Sequence, residues 1–267
     1  MKIFRKGGTI VAVRSLRGLS GCGLLLVLGL VAGCAGAPVA EDNSPMAEAH
    51  YKIGVAGLNR NDLQKALVEF QKAINLNPGD KKLHFAIAQV YDRQERSGEA
   101  VRELGEAIRI DSTYSEAYNY LGTIHTKEHR YDEALRVFGK ALENPLYATP
   151  QMTHYNMGLT YQAMGREDEA LKKFQQSTRI DPSFMPGYLA WGQLAGRMGR
   201  YKEAVDAWRG AISLAPEALD VRMELATALY NDHQDALAIQ EFRRVVREDK
   251  DGLWADSARR YLEVLQK

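Results

Sequence analysis

Two histidines four residues apart, His125 and His129, would share one face of a helix, the spacing with which a helix can offer two imidazoles to zinc. A third ligand is lacking: Glu128 is not where a zinc-protease helix places its acid, and His50, His84, His154 and His233 are scattered along the chain. We therefore expect structural histidines and no metal site. Cysteine chemistry is confined to the amino terminus, because Cys22 and Cys34 are the only two cysteines. Beyond Cys34 there is no disulfide framework, thiol nucleophile or cysteine metal site. No glycine-rich phosphate loop, no G-x-S-x-G string and no paired-carboxylate cleft stands out. No catalytic residue, enzyme activity or cofactor is expected.

What the sequence offers instead is a repeated pair of helices. Setting one small residue of each unit in register gives Gly54, Ala88, Gly122, Gly158, Gly192 and Ala226, spaced 34, 34, 36, 34 and 34. A second small residue recurs as Ala66, Ala100, Ala134, Ala170, Ala204 and Ala238. The bulky one four further on is Phe70, Leu104, Phe138, Phe174, Trp208 and Phe242. This is the pattern of the tetratricopeptide (TPR) repeat, two antiparallel helices A and B whose small residues let the backbones approach. In the clearest copy, helix A should run from about Ser115 to Glu128 and helix B from about Tyr131 to Leu142.

The expected fold is all-α: a TPR solenoid of six repeats (47–80, 81–114, 115–150, 151–184, 185–218 and 219–252) wound as a right-handed superhelix. A capping helix at 253–267 follows, with Leu253, Trp254, Ala258, Tyr261, Leu262 and Leu265 on its apolar stripe.

The first 33 residues combine Lys2, Arg5, Lys6, Arg14 and Arg17 with an apolar run from Leu24 to Ala32, as a bacterial export signal does. Val31, Ala32, Gly33 and Cys34 resemble the lipobox of a bacterial lipoprotein signal, which implies a signal peptide at 1–33 and lipid on Cys34; the alternatives are an uncleaved signal anchor or an ordinary secretory signal. The competing string before Cys22 has Arg14 and Arg17 where the apolar core should be. Residues 34–46, small and polar with two prolines, read as a flexible tether. Removing the five cations of the signal from the 35 basic residues leaves 30 against 34 acidic, a net of −4, which speaks against nucleic acid as partner.

Any partner is then sought on the concave wall formed by the A helices. The residues expected to line an apolar protein-binding groove are Tyr51, Val55, Leu58, Phe85, Gln89, Asn119, Tyr155 and Leu159. A carboxylate clamp is excluded, since such TPR domains use Lys and Asn where this chain has Tyr51 with Val55 and Phe85 with Gln89.

The break in period falls at Asn144, Pro145, Leu146, Tyr147, Ala148, Thr149 and Pro150, followed by Tyr155, Asn156, Met157, Gly158 and Leu159. With the lipobox and six repeats, these phrases resemble the PilF/PilW family of type IV pilus biogenesis lipoproteins. Some members carry cysteines around the positions of Ile124, His125 and Thr160 here, so any such disulfide is absent. The resemblance implies a pilotin, an outer-membrane lipoprotein on the periplasmic side that binds the secretin subunit and promotes its multimerisation. It places secretin contact at Tyr51, Val55 and Leu58 with Phe85 beside them. Ala35, in place of an inner-membrane retention Asp, agrees with the outer membrane. The alternative is a general periplasmic TPR adaptor for envelope assembly, polysaccharide export or peptidoglycan enzymes.

Overall fold

The computed structural model describes residues 44–250 and 252–265, which form thirteen α-helices with no strand among the described residues. They are α1 (Ser44–Asn59), α2 (Leu63–Leu76), α3 (Lys81–Arg93), α4 (Ser97–Ile110), α5 (Ser115–Lys127), α6 (Tyr131–Leu142), α7 (Pro150–Ala163), α8 (Glu167–Ile180), α9 (Met185–Arg197), α10 (Tyr201–Leu214), α11 (Leu219–Asn231), α12 (Asp235–Asp249) and α13 (Leu253–Leu265). Odd-numbered helices to α11 are A helices and even-numbered ones are B helices. Contacts run between sequence neighbours, and successive A helices also touch at α1 with α3, α5 with α7 and α11 with α13. That nearest-neighbour pattern defines a solenoid. The expected signal peptide at 1–33, Cys34 and the tether to residue 43 lie outside the described residues. The tether, expected to reach residue 46, yields its last three to α1: Ser44, Pro45 and Met46 form the first turn. Proline is tolerated there because first-turn N–H groups have no intrahelical acceptor to lose.

Within each repeat the small residue of helix A receives the bulky residue of helix B. A Cβ on Gly54, Gly122 or Gly158 would lie 2.5, 2.4 or 2.5 Å from the ring of Phe70, Phe138 or Phe174, and on Gly192 it would lie 2.6 Å from Trp208. The three phenylalanines and Phe242 are fully buried, each contributing about 2–3 kcal/mol by leaving water. In repeat 2 the pair is Ala88 with Leu104, a smaller side chain facing a larger neighbour.

Every A–B turn places one residue in the left-handed region, always the fifteenth of its repeat: Asn61, Glu95, His129, Gly165, Gly199 and His233. The next backbone N–H then reaches back to a carbonyl near the end of helix A, as Arg130 to His125, Arg166 to Tyr161 and Arg200 to Ala195 at 2.8–2.9 Å, closing Schellman-type turns. Acids stand in the first turn of α4, α6, α8, α10 and α12, at the favourable end of the helix dipole. Asp62 caps α2 by accepting from the Lys65 N–H at 3.2 Å, but four B helices start behind an arginine without a side-chain cap. Arg96, Arg166 and Arg200 instead pair with the glutamate three residues on, at 2.5–2.8 Å.

Helix α13 occupies the register of a seventh A helix. Ala255 and Ala258 are buried, and Tyr261 stacks on Phe242 with centroids 4.7 Å apart. Asp249 caps it, accepting from the N–H groups of Trp254 and Ala255 at 2.9 and 3.0 Å. Asp256, Arg259, Arg260 and Glu263 are all exposed, giving α13 the polar outer face of a capping helix. Leu253, expected on the apolar stripe, is 75% exposed because the stripe that packs is the one carrying Ala255, Ala258 and Leu262.

Candidate docking surface

The eight expected groove residues divide. Leu58 is corrected outright: it is 6% exposed and belongs to the core of repeats 1 and 2, since the end of α1 turns that side chain onto α2 and α3. Tyr51 and Val55 are half-buried against the same core, Tyr51 lying 5.8 Å from the Phe70 ring, and burial, with Glu48 and Asp80 nearby, raises its phenol pKa. Phe85 is flanked by Tyr114 and Tyr120, each at 5.6 Å. Gln89 is half-buried. Asn119 accepts a 3.1 Å hydrogen bond from Asn156 of the next repeat, beside a second polar rung between Thr126 and Thr160 at 2.8 Å. Of the six residues expected in the first three repeats, Leu58 is buried and the other five are half-buried.

Two of the expected residues border a cavity in the second half. Tyr155, edge-on to Phe184 at 5.6 Å, and Leu159, 39% exposed, line a cavity of about 320 Å³ with Pro186, Leu189 and Gln193. Gln193 and Arg197 also border the adjoining cavity of about 440 Å³, whose floor is Trp208 and whose far side carries Glu224, Thr227 and Asn231 on α11. Burial, reinforced by Asp220, raises the Glu224 carboxyl above the ordinary range. No cation pairs with it among the described residues, whereas Arg197 has Glu167 at 4.0 Å. The wall is therefore aromatic and aliphatic at one end and carries an uncompensated acid at the other. Such a surface can hold an amphipathic segment bearing apolar side chains and one basic group.

Gln193, Arg197, Glu224 and Asn231 were not among the expected residues. Only Gln193 had a direct signal, lying one period of 34 beyond Leu159; Arg197 and Asn231 share the thirteenth position of their repeats, and Glu224 stands at a sixth position, outside the rows of the expected groove residues. Extending the rows one period past the sixth repeat also reaches Trp254 and Val264, both exposed.

His125 and His129 do not converge on a metal-binding geometry. His125 is buried, with desolvation lowering its pKa. His129 is exposed in its turn, its Nδ1 2.8 Å from the Tyr131 hydroxyl. Among the described residues no group of three His, Cys, Asp or Glu side chains could hold a metal, and no helix is long and apolar enough to cross a membrane.

The stacked pairs, their turns and their wall define the class: the chain belongs to the tetratricopeptide repeat family, whose models match residues 47–80, 85–152, 152–184 and 189–252. Among its relatives is the type IV pilus assembly protein PilF of Pseudomonas aeruginosa, 26% identical over 165 residues that cover 58% of this chain and 66% of the relative. The anaphase-promoting complex subunit 3 of Schizosaccharomyces pombe is 24% identical over 94% of this chain and 41% of its own length. The chain thus spans less than two thirds of either relative. The solved structure of P. aeruginosa PilF superposes with a TM-score of 0.64 at 20% identity, covering 80% of this chain and 97% of that one. PilW, described as a widely conserved type IV pilus biogenesis factor, gives 0.63 at 16%, covering 79% and 97%. The chain is a TPR protein related at low identity to these pilus assembly proteins, and the superpositions themselves speak to the fold.

Proposed function

We propose that this chain is a lipid-anchored, non-enzymatic scaffold that binds a type IV pilus secretin and promotes its localisation and multimerisation in the outer membrane. The observation that carries the reading is the relation to PilF, joined to a repeat stack with an open apolar wall at Tyr155, Leu159 and Leu189. In this reading lipid at Cys34 holds the chain on the periplasmic side of the outer membrane, residues 35–43 give it reach, and the wall retains an apolar segment of the secretin subunit until neighbours assemble. Nothing in the wall calls for a bond-making step, because holding exposed apolar surface is enough to favour assembly over aggregation. The test is deletion of the gene followed by blotting of outer membranes for heat-stable secretin multimers. Loss of multimers, restored by the wild-type chain but not by Cys34→Ala, is expected; unchanged multimers and normal pili would overturn the reading.

A further inference from the structure

The two extra residues of the third repeat build a feature that no repeat position explains. Leu146 is 88% exposed, more than any other large apolar side chain among the described residues. Its loop is nonetheless tied down on both sides. The Asn144 side chain donates to the Thr113 carbonyl, in the preceding inter-repeat turn, at 3.0 Å, and accepts from the Leu146 N–H at 3.0 Å. Tyr147 is buried, its hydroxyl accepting from the buried Thr153 hydroxyl at 3.1 Å. Pro150 then opens α7. These bonds hold the backbone that carries Leu146, so the loop's share of the ordering cost of seating it in a partner is already met.

Beside it lies a cavity of about 440 Å³ lined by Ser112, Tyr118, Lys140, Glu143 and Pro145, sharing no residue with the two cavities of the wall. Its one cation and one anion neutralise each other, Lys140 and Glu143 being 3.0 Å apart, and the Ser112 and Tyr118 hydroxyls add two polar groups to its lining. A surface with no spare charge offers nothing to a phosphate-bearing ligand or an anionic bilayer. It suits an uncharged protein surface that supplies an apolar socket and backbone amide groups.

We infer that Pro145 and Leu146 form a preorganised docking knob, at the edge where repeat 3 hands over to repeat 4, that seats in an uncharged apolar socket of the protein whose apolar segment occupies the wall. The inference rests on the proposed function for the partner's identity. It adds a second, independent point of contact, so that the partner is gripped by two surfaces of one rigid solenoid.

The test places the photoreactive residue p-benzoylphenylalanine at Leu146, and separately at Leu159, in the full-length chain in cells making the secretin, followed by irradiation and blotting. Secretin adducts from both positions are expected. In the unlabelled chain, Leu146→Asp should lower secretin co-purification by about tenfold while Leu146→Met keeps most of it, as expected for an apolar hot spot. An adduct from Leu159 alone overturns the knob and leaves the proposed function standing, whereas adducts from neither position overturn both. An adduct of twice the chain's own mass from Leu146 would show a second copy in the socket's place and also overturn the inference. Because Leu146 touches little of its own chain, all variants should keep the helical circular dichroism of the wild type.

Discussion

Replacing Gly122 by Ala puts a methyl carbon 2.4, 2.6 and 2.7 Å from three carbons of the Phe138 ring, where ordinary contact begins about 1 Å further out. Phe138 is fully buried, so the ring has no solvent side into which to retreat. Overpacking of this kind costs about 2–3 kcal/mol, and the better helix propensity of Ala returns about 1 kcal/mol, leaving a net loss of about 1–2 kcal/mol. Phe138→Leu alone should lose a similar amount, about 1–2 kcal/mol, by leaving a void over the glycine. Together the two changes recreate the Ala88 and Leu104 pairing that repeat 2 already uses. The double variant should therefore fall short of wild type by only about 1 kcal/mol, a coupling of roughly 1–3 kcal/mol in its favour. Urea unfolding followed by circular dichroism measures all four corners of the cycle. Additive losses, or a neutral Gly122→Ala, would show that the small-on-large contact does not set the A–B spacing.

Three other outcomes follow from the same geometry. Arg222 is 1% exposed and pairs with Glu241 at 2.8 Å, with a further bond to the Pro216 carbonyl; Arg222→Ala leaves those acceptors unpaired and should cost about 3 kcal/mol. Because Trp191, Trp208 and Trp254 all lie in the last two repeats and the cap, their fluorescence should show this end unfolding first, and an unshifted urea midpoint would refute the reasoning.

His154 is buried, and burial together with the Lys173 charge lowers its pKa to about 4. In the unfolded chain it titrates near its ordinary 6.5, so below that pH the unfolded state binds the extra proton. Stability should then fall as pH drops from about 6.5 to about 4, by at most about 3 kcal/mol. His154→Leu should flatten that slope in urea midpoints taken across the window, and an unaltered slope would assign the acid sensitivity elsewhere. On the wall, Leu159→Asp with Leu189→Asp should preserve the helical spectrum yet abolish recovery of heat-stable secretin multimers, whereas retention of multimers would move the binding surface away from repeats 4–6.

The repeat count, the helix pairs and the identity of the interlocking residues were legible in the amino-acid order alone. In a solenoid each unit touches only its neighbours, and the same short-range contacts recur every 34 residues. The cap was visible for the same reason, though not which of its apolar residues would pack. The left-handed turn residues were not legible, because Glu95, His129 and His233 carry no preference strong enough to announce a backbone state that the meeting of two helices imposes.

Nor could the rows of wall positions say which were open. Tyr51, Phe85 and Asn119 occupy wall positions as Tyr155 and Leu159 do. Phe85 is half-buried between Tyr114 and Tyr120, Asn119 is bonded to Asn156, and Leu159 borders a cavity that Leu189 and Gln193 also line. The period fixes a residue's direction; its exposure depends on the volume and bonding of side chains contributed by other helices, and that only the packed structure decides.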